Sequence, residues 1–317
     1  MVRVGCRRYI DALAGFYFMS LDANSSARPR IAPLGIVFVL ITSVAWGLNW
    51  PVNKYIVSEW PPLPARGLAG VVGGLSLAAY AWMRGQSLFV PREQRMRLAI
   101  SAFLNVTMWM AVMGLALLWL PASEAAVIAY TMPVWTALLA WPLLGERLVL
   151  ARVIALVLAF AGLAILLAGD GMSASVTKLP GVGLAFAGAI AFALGTIFLK
   201  KFPIRLPAAT STAWQLALGC LPVALIGLAF ERPSFSALSA TGWACMIYTT
   251  FGGLCVAYMS WFAALERMPA SVAAIGTMLV PVIGVLVSVA MLGEPLGLVQ
   301  IAALALTLGG VTLAARS

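Results

Sequence analysis

Pro121–Glu146 reads PASEAAVIAYTMPVWTALLAWPLLGE, and Pro269–Glu294 reads PASVAAIGTMLVPVIGVLVSVAMLGE. Three anchors pair without a gap: Pro121 with Pro269, Pro133 with Pro281, and Glu146 with Glu294. Each pair is 148 positions apart (269 − 121). The offset also holds outside these blocks. Ala45 and Gly47 match Ala193 and Gly195, and Gly162 matches Gly310. The chain is therefore written twice, once on each side of its middle.

Composition decides where both copies sit. The 317 residues are 63% hydrophobic and 9% charged, against about 25% charged in an ordinary soluble domain. So few charges cannot cover a water-facing surface, and most of the surface must face membrane lipid. The formal net charge of +10 comes from basic residues in short connections between apolar runs. It is a topology signal and points to no nucleic acid. The four cysteines (Cys6, Cys220, Cys245, Cys255) form no CxxC pair, and three of them lie in apolar runs as small hydrophobes. There is no histidine, which removes the commonest general base and metal ligand.

Ten apolar runs are predicted as membrane helices, near 33–53, 63–83, 97–119, 122–144, 149–168, 180–200, 208–230, 240–265, 270–292 and 296–315. Each approaches the ~20 residues that cross the hydrocarbon layer, and none alternates as a strand would. Residues 1–32 differ. Arg3, Arg7 and Arg8 precede the short run Ala12–Met19, which acids flank on both sides. This segment reads as a disordered cytoplasmic tail, or as an over-extended start with the true one at Met19. With the N-terminus in the cytoplasm, sixteen of the twenty basic residues fall on the inner side. Lys54, Arg66, Lys178 and Arg232 remain outside, so both termini are expected in the cytoplasm.

The fold class expected is all-α integral membrane: ten transmembrane helices as two five-helix repeats, 33–168 and 180–315. Five is odd, so the second repeat enters the membrane the other way up. Inverted repeats of this kind enclose a pathway near the midplane and point to a transporter.

Several of these features together resemble the EamA family of the drug/metabolite transporter superfamily. They are AWGLNWPVNK at 45–54, Arg66 early in the second run, and the two PAS…P…LGE blocks. The resemblance covers roughly 33–315. It implies a central cavity lined by helices 1–4 and 6–9 of the ten, with helices 5 and 10 peripheral. It also implies amino acids or other small metabolites as substrates, often exported. No cofactor is expected.

Candidate site residues follow from helical spacing. Trp46, Asn49, Trp50 and Asn53 share one face of the first helix. Amides are costly in hydrocarbon, so this face is expected to point inward, to line a cavity or to bond another helix. Asn105 and Trp109 share a face of the third helix. Trp214 and Gln215 adjoin in the seventh, and Tyr258 and Trp261 share a face of the eighth. Rings and scattered amides suit a small amphipathic substrate, although Trp and Tyr also anchor helices at membrane interfaces. Arg66 has two readings: it receives a substrate anion, or it pairs with Glu59 or Glu124. At the 148 offset it matches Trp214. Glu124 either complements its helix N-terminus or couples transport to protons. The second block lacks Glu124 and Tyr130. Pro133 and Pro281 sit mid-helix at matched places, as hinges or as static kinks. Glu146 and Glu294 are expected to anchor loop structure. Gly70 and Gly74 form GxxxG, which favours close helix packing and would serve a homodimer.

Rival classes are weaker. There is no HExxH, no P-loop and no plausible nucleophile–base pair, so an enzyme is not expected. A receptor or scaffold would need larger connections than these. Among transporters the rival is an exchanger of anionic metabolites such as sugar phosphates. It would draw on Lys54, Arg66, Lys200 and Lys201. The aromatic and amide residues favour zwitterionic or neutral metabolites, amino acids first.

Overall fold

A computed structural model describes residues 33–145, 172–265 and 276–316, with positions 150, 153, 154, 157, 158, 161, 162, 165, 267 and 273 besides. Expectations about residues 1–32, Glu146, Pro269 and most of 149–168 fall outside the described residues. Every regular element among the described residues is helical. Six helices are long and apolar enough to cross a membrane: Pro33–Glu59, Arg92–Ala116, Ala122–Leu144, Val176–Lys201, Ala208–Glu231 and Ala240–Leu265. Pro62–Met83 is a further helix of 22 residues, and Leu279–Leu292 and Leu298–Gly310 are shorter apolar ones.

The long apolar stretch Pro33–Glu59 forms α1, and Pro62–Met83 forms α2. Prolines at the start of α2 need no amide partner there, which is why the chain can turn and restart at once. The next span is α3 (Arg92–Ala102), a π-helical segment at Phe103–Thr107, and α4 (Met108–Ala116). Two helices then share one span, α5 (Ala122–Ala129) and α6 (Met132–Leu144). They are followed by α7 (Met172–Lys201) and α8 (Ala208–Ile226). The following span is α9 (Ala240–Ile247), a π-helical segment at Tyr248–Val256, and α10 (Ala257–Leu265). The last elements are α11 (Leu279–Leu292) and α12 (Leu298–Arg316).

The prolines break their spans. Pro133 has no N–H for the carbonyl of Ala129, and its ring crowds that carbonyl. The helix duly stops at Ala129 and restarts at Met132. Upstream of Pro281 the chain turns at Thr277 and Met278 and resumes helix at Leu279. Both α6 and α11 end on a left-handed glycine, Gly145 (φ 71°) and Gly293 (φ 66°), a conformation that favours glycine over any residue with a Cβ.

Packing recurs at related places. α1 packs on α11 and α10, while α7 packs on α6 and α4. The tightest pair is α2 with α8. Gly67, Gly70 and Gly74 of α2 lie against Ala224, Cys220 and Ala217 of α8. The GxxxG face is thus filled within the chain, which leaves no opening there for a second copy. Gly73 abuts Leu254, and Gly219 of α8 abuts Val106. The starts of α2 and α8, capped by Pro61 and Pro207, are 146 positions apart (207 − 61). In these two helices the register is therefore two short of 148. Arg66 then corresponds to Thr212, not Trp214. At the periphery α12 packs on α5 and α6, and Gly162 lies against Ala303 and Thr307.

Buried hydroxyls tie α1 to its neighbours. Thr42 donates to the Ala257 carbonyl (3.3 Å), and Ser43 to that of Gly276 (3.1 Å). The Tyr248 hydroxyl donates to the Ala45 carbonyl (3.0 Å). In lipid such bonds contribute about 0.6 kcal/mol each.

Candidate functional site

The stripe on α1 and the residues facing it enclose one cavity of about 130 Å³. Trp46, Asn49 and Asn53 come from α1, Arg66 from α2, and Asn105 from the first π segment. Trp109 comes from α4, Tyr130 from the break between α5 and α6, and Tyr258 from α10. All of them line it. The π turns have a geometric role: each adds a residue to one helical turn and re-aims the side chains after it. Asn105 and Val106 of the first segment line the cavity, as do Gly253 and Leu254 of the second, 148 positions later.

The polar groups are ordered by specific contacts. Asn53 is buried and donates its amide to the Asn49 carbonyl (2.6 Å) and to Asn49 Oδ1 (2.9 Å). Asn49 lies flat against Gly253, and Asn105 against Gly195, where a Cβ would collide with the amide. Asn105 donates to Ser101 Oγ (3.2 Å), and Ser101 donates to Gln215 Oε1 (2.8 Å). The rings pack in two groups. Trp46 meets Tyr258 edge-on at 5.5 Å, Trp50 meets Trp109 at 6.5 Å, and Trp109 meets Phe192 at 5.3 Å.

Three predicted residues stand elsewhere. Gln215 is two hydrogen bonds behind the wall, holding Asn105 through Ser101. Trp261 packs on the outer side of Trp46, at 6.0 Å. Trp214 is 36% exposed and donates its indole N–H to the Leu88 carbonyl (2.9 Å), away from the cavity. Successive residues on a helix point about 100° apart, so Trp214 and Gln215 do not share a face. Sequence reasoning missed Met110, Met113, Met132, Leu117 and Phe192, which also line the cavity. Nothing marks them among the other apolar residues. Gly253 and Leu254 were findable, by carrying Asn105 and Val106 forward along the 148 offset.

Arg66 is 7% exposed, its stem lies over Gly114, and its Nε has no hydrogen-bond partner. Neither proposed acid reaches it. Glu59 accepts from Tyr55 (2.8 Å) and from Ser239 N and Oγ (3.1 and 2.8 Å). Glu124 pairs with Lys178 at 2.7 Å, and both are largely buried. Breaking a buried pair from one side costs about 3–5 kcal/mol, while removing both charges can be nearly neutral. Glu124→Gln and Lys178→Met are each expected to lower the melting temperature in detergent sharply. The double variant should recover most of the loss.

At the end of the bundle that holds Lys54, charged side chains bond the backbone of helix ends. Lys54 Nζ donates to the carbonyls of Leu117 and Leu120, the latter at 2.9 Å. Glu294 accepts from Ala122 N (2.7 Å), Ser123 N (3.0 Å) and Ser123 Oγ at the start of α5. The glutamate of the second LGE thus caps the helix that opens with the first PAS. Glu231 accepts from Leu63 N (3.1 Å) at the start of α2.

A cavity of this kind inside an apolar helical bundle is the arrangement of a membrane transporter, and sequence comparison agrees. The EamA-like transporter family matches residues 33–168 and 179–316, and the chain belongs to that family. It is 32% identical over 280 residues to an uncharacterized transporter, YvbV, of Bacillus subtilis (strain 168), covering 85% of this chain and 88% of that protein. It is 26% identical over 286 residues to a probable amino-acid metabolite efflux pump of Salmonella typhimurium, covering 86% of this chain and 91% of that one. The uncharacterized inner membrane transporter YedA of Escherichia coli (strain K12) is 24% identical over 290 residues, covering 90% of this chain and 91% of that one. A solved crystal structure superposes with a TM-score of 0.62 at 24% identity, covering 88% of this chain and 96% of that one, which supports the fold.

Proposed function

We propose that the protein is a secondary transporter that moves a small organic metabolite, an amino acid or similar, across the cytoplasmic membrane by alternating access. Its body is two inverted five-helix units, ten helices in all. Both termini lie in the cytoplasm and export is the direction. One observation carries this reading: the cavity wall uses Asn105–Val106 from one half and Gly253–Leu254 from the other, at the 148 offset, each in a π segment. The related packing of α1 on α11 and α7 on α6 supports the inverted arrangement. The breaks upstream of Pro133 and Pro281 supply hinges at matched depths, where one unit can rock against the other. The relative named as an amino-acid metabolite efflux pump supports the substrate class and the direction. No cofactor enters this reading, and membrane lipid surrounds the bundle.

The test is flux in proteoliposomes with labelled amino acids and organic acids. Trp109→Ala removes the ring between Trp50 and Phe192. Ring packing worth about 1 kcal/mol predicts a rise of roughly fivefold in the half-saturating concentration. Trp214→Ala should leave flux unchanged. A folded protein that moves nothing across the panel would point to a membrane scaffold instead.

A further inference from the structure

We propose that Arg66 is the carboxylate anchor of the cavity, and that the substrate is a monocarboxylate with an aromatic or large apolar body. This deepens the transport reading and rests on it. Arg66 is a buried guanidinium that lines the cavity, with Nε lacking any hydrogen-bond partner. Among the described residues no acid lines the cavity with it. The acids at its end of the bundle are committed elsewhere: Glu59 to Ser239, Glu124 to Lys178, Glu231 to Leu63 and Glu294 to Ser123. A buried charge calls for a counter-charge, and the open side of Arg66 is the cavity itself. The fork of donors on a guanidinium matches a carboxylate in plane and spacing.

The rest of the wall narrows the class. Trp46, Trp109, Tyr258, Met110 and Phe192 offer rings and soft apolar surface to the body of the ligand. A phosphate dianion would call for a second cation. Lys54 is held by the Leu117 and Leu120 carbonyls, and Arg66 is the one cation lining the cavity among the described residues. With no carboxylate among the described lining residues to receive an ammonium, the carboxylate of the substrate is the group recognised, and an amino group adds little.

The experiment uses the full chain in detergent and follows tryptophan fluorescence. The probes are hydrocinnamate, phenylalanine, phenylalaninamide and phenyl phosphate. Hydrocinnamate and phenylalanine are expected to bind within a few-fold of each other. The amide should bind at least about tenfold more weakly, as loss of a charge-assisted hydrogen bond predicts. The phosphate should also bind more weakly, because Arg66 is the one cation among the described lining residues and the second charge of a dianion would be buried unpaired. Arg66→Gln should bring hydrocinnamate down to the level of the amide, and Arg66→Lys should fall between. Equal binding of the amide overturns the anchor, as does unchanged binding to Arg66→Gln or silence from all four probes. Tighter binding of the phosphate overturns the substrate class. If Arg66→Gln does not fold, the ranking of the four probes on the unmodified protein decides alone. Flux separates this proposal from the one beneath it. Binding in the expected order without flux defeats transport and leaves the anchor standing. Flux that favours the amide defeats the anchor and leaves transport standing.

Discussion

Gly67→Val is expected to abolish the folded protein, leaving no monodisperse peak on size-exclusion chromatography. A side chain at this position would run into the backbone nitrogen of Ala224, and into its Cα at 2.5 Å. These are main-chain atoms of α8, and no rotamer change can move them. Overpacking against yielding side chains costs about 1–3 kcal/mol, and a collision with rigid backbone costs more. Neighbouring glycines calibrate the effect. At Gly74 the obstacles are again backbone, Ala217 N at 2.8 Å and Ala213 O at 3.0 Å. At Gly70 the obstacles are Cys220 Sγ and, at 2.7 Å, Cys220 Cβ, which moves only with the backbone of α8, so Gly74→Ala should be the mildest of the three. Gly183→Ala is the control, because a methyl there meets nothing within 4 Å. A normal yield of Gly67→Val would show that α2 and α8 are not held this closely.

Glu294→Ala is expected to cost about 3 kcal/mol of stability, a fall of roughly 5–10 °C in melting temperature. The carboxylate accepts from two backbone amides and one hydroxyl at the start of α5. Those amides belong to the positive end of a helix, where a negative charge is favoured beyond the hydrogen bonds themselves. Removing the side chain leaves both amides without that acceptor in a partly buried place. Glu294→Gln keeps an acceptor and loses the charge, so its loss should be smaller. The sequence prepares the contact. Gly293 takes the left-handed conformation that ends α11 and delivers Glu294 to α5. Equal melting temperatures for the alanine variant and the unmodified protein would dismiss the cap.

The same contact shows how far the sequence could be read. Glu146 and Glu294 were expected to anchor loop structure, and for Glu294 the role is now specific. Its partner is the first PAS block, 171 and 172 positions away in the chain. Local pattern reports what a residue is and what lies within a few turns of it. It does not report which distant helix end arrives opposite. Arg66 makes the point more sharply. Its isolation emerges only after Glu59 and Glu124 have each been traced to other partners. The stripe on α1 was legible because helical spacing places Trp46, Asn49 and Asn53 on one face. The π segments were not, because Phe-Leu-Asn-Val-Thr reads as ordinary apolar helix. Trp214 misled because lying beside Gln215 in sequence does not place it on the same face of α8.

The cross-chain caps also govern how the protein must be made. Helices emerge from the ribosome in order. When α2 and α5 enter the membrane, the acids that cap them, Glu231 and Glu294, have not yet been synthesised. The groove along Gly67, Gly70 and Gly74 likewise waits for α8. The first half therefore stands unfinished in the bilayer, with bare helix ends and an open seam, until the second half arrives. A chain stopped between the halves offers those features to quality control, and the two halves mature as one object.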